Sequence, residues 1–187
     1  MVIVPKKNGK TRACFDYREL NKATLKDHFP LSFIDQFLDT LEGNNFFSFL
    51  DGFSGYNQIQ VALDDQDKTT FTYPWGSYAY RVLPFGLCNA PATFTREVLG
   101  IFSNLIHDCV EVYMDNFTVY GNYFEEALKI LEEFLIRCKE ANLLLSGEKC
   151  FMMFTKGIFL GHHILGNGIR VDTSKVEVIS KLSIPTC

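Results

Sequence analysis

The sequence predicts an α+β fold, a mainly antiparallel sheet with two helices packed on one face. Short β-branched and aromatic runs bounded by turn-forming residues are typical of strands, and they occupy residues 46–51, 69–73, 78–82 and 110–121. Apolar side chains recur at helical spacing over residues 89–105 and 124–141. Strands and helices interleave without a strict β-α-β repeat, which favours this sheet over a parallel one.

The first element is a predicted β-hairpin with a basic tip. Two apolar runs flank Asn8-Gly9, a pair that favours a type I′ turn because both residues accept a positive φ. Residues 1–28 hold seven Lys and Arg against three Asp and Glu, whereas the whole chain has a net charge of −4. A basic end on an acidic body indicates a protein that binds phosphate groups with one region and cations with another. A solvated hairpin without function is the alternative.

Local signals then predict the elements up to residue 90. Ser32 with Asp35 forms a capping-box pattern for a helix that Gly43 stops. In order, the segments that follow are a strand ending in Asp51, a Gly-rich bend at 52–56, a strand at 58–61, an acidic turn or short helix at 64–67, and a hairpin of 69–73 with 78–82 across 74–77.

The second half is predicted to contain two longer helices, a central hairpin and a run of short strands. The first helix begins at Asn89 and buries Ala90, Phe94, Val98, Phe102 and Leu105, and the second turns Leu128, Leu131, Leu135 and Cys138 inward. Between them, residues 110–121 form a hairpin hinged on Asp115-Asn116. Short strands follow at 143–145, 150–154, 158–160 and 169–171, and Asp172 caps a final helix.

Two predicted strands each deliver an aspartate, Asp51 and Asp115, to one end of the sheet. Two-metal phosphoryl-transfer sites require this arrangement of carboxylates. The alternative is an ordinary hairpin in which Asp-Asn serves only as turn chemistry. The pair His162-His163 could also suggest a metal site. Neighbouring residues on a strand point to opposite faces, however, which favours a structural role for both histidines.

Composition excludes several other classes of protein. The six cysteines are scattered without a Cys-x-x-Cys pair, so they indicate reduced thiols in an intracellular protein rather than disulfides or a zinc site. No run of about 18 apolar residues predicts a membrane span. No basic-then-apolar leader predicts secretion.

Five motifs, spread over nearly all 187 residues, carry a family resemblance. They are Arg12-x-x-x-Asp16-Tyr17-Arg18-x-Leu20-Asn21, Phe49-Leu50-Asp51-x-x-Ser54-Gly55-Tyr56, the block at residues 83–94, Tyr113-Met114-Asp115 and Phe159-Leu160-Gly161-His162. Together they resemble reverse transcriptases, most closely those of gypsy-type LTR retrotransposons from plants. The block at 83–94 is highly specific by itself.

The resemblance implies the right-hand polymerase architecture. Residues 1–45 would be partial fingers, 46–61 palm, 62–90 a returning fingers segment, and 91–187 palm with a primer-positioning hairpin. The resemblance implies that the chain lacks the thumb and the RNase H domain of the family, so it is expected to be a piece of a polyprotein or a decayed genomic copy.

The resemblance also implies a two-metal site. Asp51, Asp115 and the position of Asn116 would bind two Mg²⁺ ions, for which Mn²⁺ is a substitute, and these ions would drive nucleotidyl transfer. Asn116 departs from the family, which has a second Asp in this Tyr-x-Asp-Asp turn. Lys149 lies where such polymerases place a general acid near the pyrophosphate.

The remaining implied roles concern nucleotide and primer. Arg12 with Lys6 or Lys7 would clamp the triphosphate, and Tyr56 would exclude a 2′-hydroxyl by its bulk. The implied nucleotide-binding set is Lys6, Lys7, Arg12, Tyr56, Phe85, Gly86 and Met114, and the implied primer-positioning set is Leu160, Gly161 and His162.

The resemblance thus implies an RNA-directed DNA polymerase whose partners are an RNA or DNA template with primer and deoxyribonucleoside triphosphates. It is expected in a cytoplasmic particle or near the nucleus, neither secreted nor in a membrane. Two alternatives stay open: a catalytically silent relic, favoured by Asn116, and an unrelated metal-dependent nuclease, which lacks an identifiable water-activating base.

Overall fold

A computed structural model describes residues 2–5, 9, 11–30, 33–106, 108–159, 161–165, 168–171 and 173–182. The elements in order are β1 (Val2–Pro5), β2 (Thr11–Cys14), α1 (Arg18–Ala23), α2 (Ile34–Leu41), β3 (Phe46–Asp51), α3 (Leu63–Gln66), β4 (Phe71–Tyr73), β5 (Gly76–Tyr78), α4 (Ala90–Ile101), β6 (Val110–Tyr113), β7 (Asn116–Gly121), α5 (Phe124–Glu140), β8 (Phe151–Phe154), β9 (Lys156–Phe159), β10 (His162–Leu165), β11 (Gly168–Val171) and α6 (Thr173–Ser180). Short 3₁₀ turns lie at Gly55–Gln58, Asp67–Thr69 and Gly147–Lys149.

The centre of the fold is a four-stranded antiparallel sheet in the order β6-β7-β3-β8. Strand β3 lies in its interior, because it pairs with β7 from Phe46 to Asp51 and with β8 on its other edge. Side chains alternate between the two faces along each strand. Leu50 therefore faces one layer of the core, whereas Phe47 and Phe49 face the other.

Helices α4 and α5 cover the Leu50 face, which confirms the predicted two-helix layer. Their buried side chains meet those of the sheet in one core, which includes Phe94, Val98, Phe102, Phe117, Phe134 and Cys138. The rings of Phe102 and Phe134 stack with centroids 4.4 Å apart, and Phe134 also packs on Phe117. This aromatic cluster holds both helices to the sheet.

The opposite face is also covered, which the sequence did not predict. Helix α2 contributes Phe37, Leu38 and Leu41 to a second core with Phe47 and Phe49, and Ile164 of β10 joins it. Strands β9, β10 and β11 form a small antiparallel sheet beside this core. A Cβ atom at Gly157 would lie 2.8 Å from the Phe49 ring, so the glycine is needed for this close approach.

Two hairpins and their connections form the rest of the chain. Strands β1 and β2 pair as predicted, with Pro5 opposite Thr11. Strands β4 and β5 also pair, but they turn at Pro74-Trp75 because Tyr73 pairs with Gly76. The ring of Phe15 contacts that of Phe71 at 4.3 Å, which joins the N-terminal segment to the second hairpin.

Some local predictions are wrong. Residues 58–61 do not form a strand, because the chain closes a 3₁₀ turn at Gly55–Gln58 and only Gln60 bridges to Val82. The predicted strand at 143–145 is reduced to a bridge between Leu145 and Gly52. Leu128 does not point inward: it is 46% exposed, since α5 turns Ala127 and Phe134 to the core instead.

Other predictions concern caps, thiols and membranes. The capping roles of Ser32 and Asp172 and the turn residue Asn8 lie outside the described residues, although Gly9 has the expected positive φ of 76°. Five cysteines, Cys14, Cys88, Cys109, Cys138 and Cys150, are free thiols. In the part of the chain that the structure describes, no helix has the length and apolar character of a membrane span.

Candidate active site

Asp51 is the last residue of strand β3, and it pairs with Asn116, the first residue of strand β7. Paired residues of an antiparallel ladder point to the same face, so the carboxylate and the amide lie side by side at the sheet end. Asp51 is buried, on the face that also carries Phe49. The sheet thus fixes both groups rigidly.

The turn between β6 and β7 consists of Met114 and Asp115, because Tyr113 pairs with Asn116. The predicted hinge at Asp115-Asn116 is therefore wrong by one residue. Met114 has a φ of 56°, in the left-handed region that non-glycine residues seldom adopt. The Asn116 side-chain amide donates a hydrogen bond to the Asp115 carboxylate at 3.2 Å.

Two glycines of the bend after β3 let this turn approach Asp51. The Gly52 N–H donates to the Asp115 carbonyl oxygen at 2.8 Å. A Cβ atom at Gly55 would lie 3.1 Å from the Asp115 Cβ and 3.2 Å from the Phe94 ring. The Gly-rich bend thereby brings the second predicted aspartate beside the first.

Lys149 reaches this site from 98 positions along the chain. Its Nζ lies 2.7 Å from the Asp51 Oδ2. The backbone fixes the approach, since the Ser146 N–H donates to the Asp51 carbonyl oxygen at 2.7 Å and the Lys149 N–H donates to the Ser146 carbonyl oxygen at 2.9 Å. The structure therefore places Lys149 against a predicted metal ligand.

The donor set fits a hard divalent cation. Asp51 and Asp115 supply carboxylate oxygens and Asn116 an amide oxygen, the ligand types that Mg²⁺ prefers. The Lys149 ammonium beside Asp51 shows that a cation is already accommodated there. Among the described residues no group of three or more His, Cys, Asp or Glu converges, so this site offers two carboxylates and not three.

The predicted nucleotide-binding residues Tyr56 and Phe85 lie together beside the aspartates. Their rings are stacked with centroids 6.4 Å apart, and Tyr56 also meets Phe94 edge-on at 5.8 Å. Phe85 is 54% exposed, whereas Tyr56 is half-buried. Burial raises the pKa of the Tyr56 hydroxyl, and the charge of Asp115 raises it further.

Two residues of the site were missed by sequence reasoning. Asn21 ends the first of the five motifs, but only the structure shows its role: its side chain donates to the Gly86 carbonyl oxygen at 2.8 Å and accepts from the Cys88 N–H at 2.9 Å. The sequence predicts a strand at Gln58, yet its side chain donates to the Leu144 carbonyl oxygen and accepts from the Leu144 N–H. Both residues brace loops that carry site residues.

Several predicted residues cannot be placed. Lys6, Lys7 and Leu160 lie outside the described residues, and Arg12 is described only in its backbone, within β2. Gly161 has a φ of 81°, and His162 opens β10, half-buried, where it pairs with Phe159 and Val171. Their predicted role at a primer end stays a prediction.

A sheet with aspartates at one end, two helices on one face, a third helix on the other and a hairpin extension is the palm of a polymerase with part of its fingers. Residues 4–164 match the family model described as reverse transcriptase (RNA-dependent DNA polymerase). The chain therefore belongs to the reverse transcriptase family.

Curated relatives are retrotransposon polyproteins. The chain is 39% identical to the retrovirus-related Pol polyprotein from transposon 412 of Drosophila melanogaster, over 99% of this chain and 15% of the polyprotein. It is 34% identical to the transposon Tf2-7 polyprotein of Schizosaccharomyces pombe, over 99% of this chain and 14% of that one. The chain thus spans only a small part of these relatives.

Solved structures with the same fold are viral. The foamy viral protease-reverse transcriptase in complex with an RNA/DNA hybrid superposes with a TM-score of 0.85 at 27% identity, covering 98% of this chain and 24% of that one. The same protein with double-stranded DNA gives a TM-score of 0.87 at 28% identity, covering 98% and 38%. These likenesses confirm the predicted α+β palm and fingers fold.

Proposed function

We propose that this chain is the RNA-directed DNA polymerase domain of a gypsy-type LTR-retrotransposon polyprotein. The observation that carries the proposal is the pairing of Asp51 with Asn116 beside the Asp115 turn. Its relatives are Pol and transposon polyproteins, and the similar structures hold RNA/DNA hybrid or double-stranded DNA. Its substrates would be deoxyribonucleoside triphosphates and a primed RNA or DNA template.

The site residues divide the chemistry among them. Asp51 and Asp115 would hold two Mg²⁺ ions, with the Asn116 amide oxygen as the weaker third donor. Such ions, when bound, activate the primer 3′-hydroxyl and stabilise charge on the leaving pyrophosphate. The strand pairing keeps Asp51 in place without reorganisation. Lys149 would donate a proton to the pyrophosphate, since its ammonium lies beside the same carboxylate.

The nucleotide would lie over Tyr56 and Phe85. An exposed ring at Phe85 can support a base or sugar by stacking, while Tyr56 is held from below by Phe94. Because Asn21 fixes the backbone at Gly86 and Cys88, the loop that carries Phe85 is preorganised.

Asn116 favours a second candidate, a silent member that folds and binds nucleic acid without synthesis. Primer extension separates the two. The chain is incubated with a primed RNA template and deoxyribonucleotides in Mg²⁺ and then in Mn²⁺, and extended products are resolved. Synthesis that disappears in Asp51→Asn supports the polymerase. No product with either metal, from a protein that binds the primed template, favours the silent member.

Tyr56→Ala is expected to raise the incorporation of ribonucleotides relative to deoxyribonucleotides about tenfold, since removing the ring vacates the space of a 2′-hydroxyl. Tenfold corresponds to about 1.4 kcal/mol in the difference between two barriers. The ratio of the two products in primer extension measures it. Tyr56→Phe keeps the ring and should retain the parent ratio. An unchanged ratio in Tyr56→Ala would make the residue a packing group only.

A further inference from the structure

Asp51 and Lys149 form an ion pair with very different exposure. The Asp51 side chain is 12% exposed and the Lys149 side chain 65% exposed, with 2.7 Å between Oδ2 and Nζ. We propose that Lys149 is a displaceable counter-ion of the metal site, which neutralises Asp51 before the metal arrives and leaves it when the metal binds. This inference rests on the proposed function and adds a second role for Lys149.

The need for a counter-ion follows from the burial of Asp51. A carboxylate removed from water is costly unless a cation or hydrogen-bond donors compensate it. Its position at the end of β3, paired with Asn116, prevents it from turning out to solvent. A lysine ammonium is a compact point charge, so it can stand near the place that a divalent ion takes.

The position of Lys149 allows it to leave. Its backbone is anchored through Ser146, whose N–H donates to the Asp51 carbonyl oxygen, so the chain around it does not need to move. Its side chain is 65% exposed, and the four-carbon stem of a lysine is flexible. Only the side chain has to swing, which releases an ammonium beside the reacting groups once a metal has replaced it.

Competition follows from this geometry. The ammonium and a metal ion compete for the Asp51 carboxylate, because both are attracted to its oxygens and their positive charges repel each other. Metal binding at Asp51 therefore opposes its ion pair with Lys149. Removing the ammonium should therefore strengthen metal binding, although the same change should weaken catalysis if Lys149 is also the proton donor. Opposite effects on binding and on synthesis would distinguish a counter-ion from a residue that merely supports the fold.

The test is a Mn²⁺ titration of the whole chain, in which electron paramagnetic resonance counts the free ion without any need for synthesis. Lys149→Met is expected to bind Mn²⁺ at least fivefold more tightly than the parent. Lys149→Arg keeps the charge and should not. Lys129→Met is the matched control for net charge, because Lys129 is exposed on α5, whose helix covers the face of the sheet opposite to Asp51.

Asp51→Asn tests the metal site separately from the counter-ion role of Lys149. If this variant binds Mn²⁺ as the parent does, the metal site itself is wrong. If it loses Mn²⁺ while Lys149→Met binds no more tightly than the parent, only the counter-ion role is wrong. Equal tightening in Lys129→Met would also overturn that role. Lys149→Gln is the second variant, and unfolding of both Lys149→Met and Lys149→Gln, seen by circular dichroism, would assign the lysine a structural role instead.

Discussion

Asn116→Asp is expected to raise primer extension about a hundredfold in Mg²⁺, equivalent to about 2.7 kcal/mol of activation barrier. The present site offers two carboxylates and an amide to its cations, and a neutral amide oxygen is a poorer ligand for Mg²⁺ than a carboxylate. Residue 116 is a paired strand residue rather than a turn residue, so a new carboxylate would stand directly beside Asp51. Rates are best compared at saturating primer-template, so that duplex binding does not limit them.

The stability of Asn116→Asp supplies an independent check. Without metal, the variant replaces the hydrogen bond from Asn116 to Asp115 with repulsion between two carboxylates, so its unfolding midpoint should be lower than that of the parent. Added Mg²⁺ should raise that midpoint more than it does in the parent, because a ligand that binds only the folded state stabilises it. A variant that binds primer-template as well as the parent but synthesises no faster would show that the missing carboxylate does not limit this protein.

Phe134→Ala is expected to reduce the free energy of unfolding by about 3–5 kcal/mol, the range for truncation of a buried Phe. Phe134 is fully buried where α5 meets the sheet, stacked on Phe102 and packed on Phe117. Removal of its ring leaves a cavity between the two helices. Urea denaturation followed by circular dichroism measures the change.

Ile136→Ala is the matched control for that measurement. Ile136 lies two residues further along the same helix, but its side chain is 50% exposed. Its truncation should therefore reduce the free energy of unfolding by well under half as much as Phe134→Ala does. Equal losses from the two substitutions would contradict the packing described for α5. A small loss from Phe134→Ala would mean that the helix layer collapses onto the cavity.

The elements that the sequence predicted well are those with a strong local pattern. Strand β3 is a run of aromatic and aliphatic residues, and α4 has an Asn before its first turn and a Pro within it. The hinge of the central hairpin was misplaced because Asn and Asp both favour turns. Only the pairing of Tyr113 with Asn116 decides between the two positions, and it requires Met114 to adopt a left-handed conformation that its side chain does not favour.

The site was predictable in its residues but not in its contacts. Asp51 ends one apolar strand and Asp115 lies just after another, and that signal is local. The ion pair of Lys149 with Asp51 and the clamp of Gln58 on Leu144 join residues 98 and 86 positions apart. Such contacts depend on the path by which the chain after α5 leads back to the sheet, and no local pattern specifies that path. The predicted inner face of α5 is also wrong at one position, because Leu128 has the spacing of a core residue and yet is exposed.

The burial of Cys138 on the inner face of α5 has a consequence for thiol chemistry. Burial raises the pKa of this thiol to about 12, and it raises that of Cys109, beside the start of β6, to about 11. Alkylating reagents react with thiolates rather than thiols, so both sulfurs are nearly inert at neutral pH while the helix layer is in place. Alkylation of Cys138 therefore requires α5 to lift from the sheet, and its rate reports how often that layer opens.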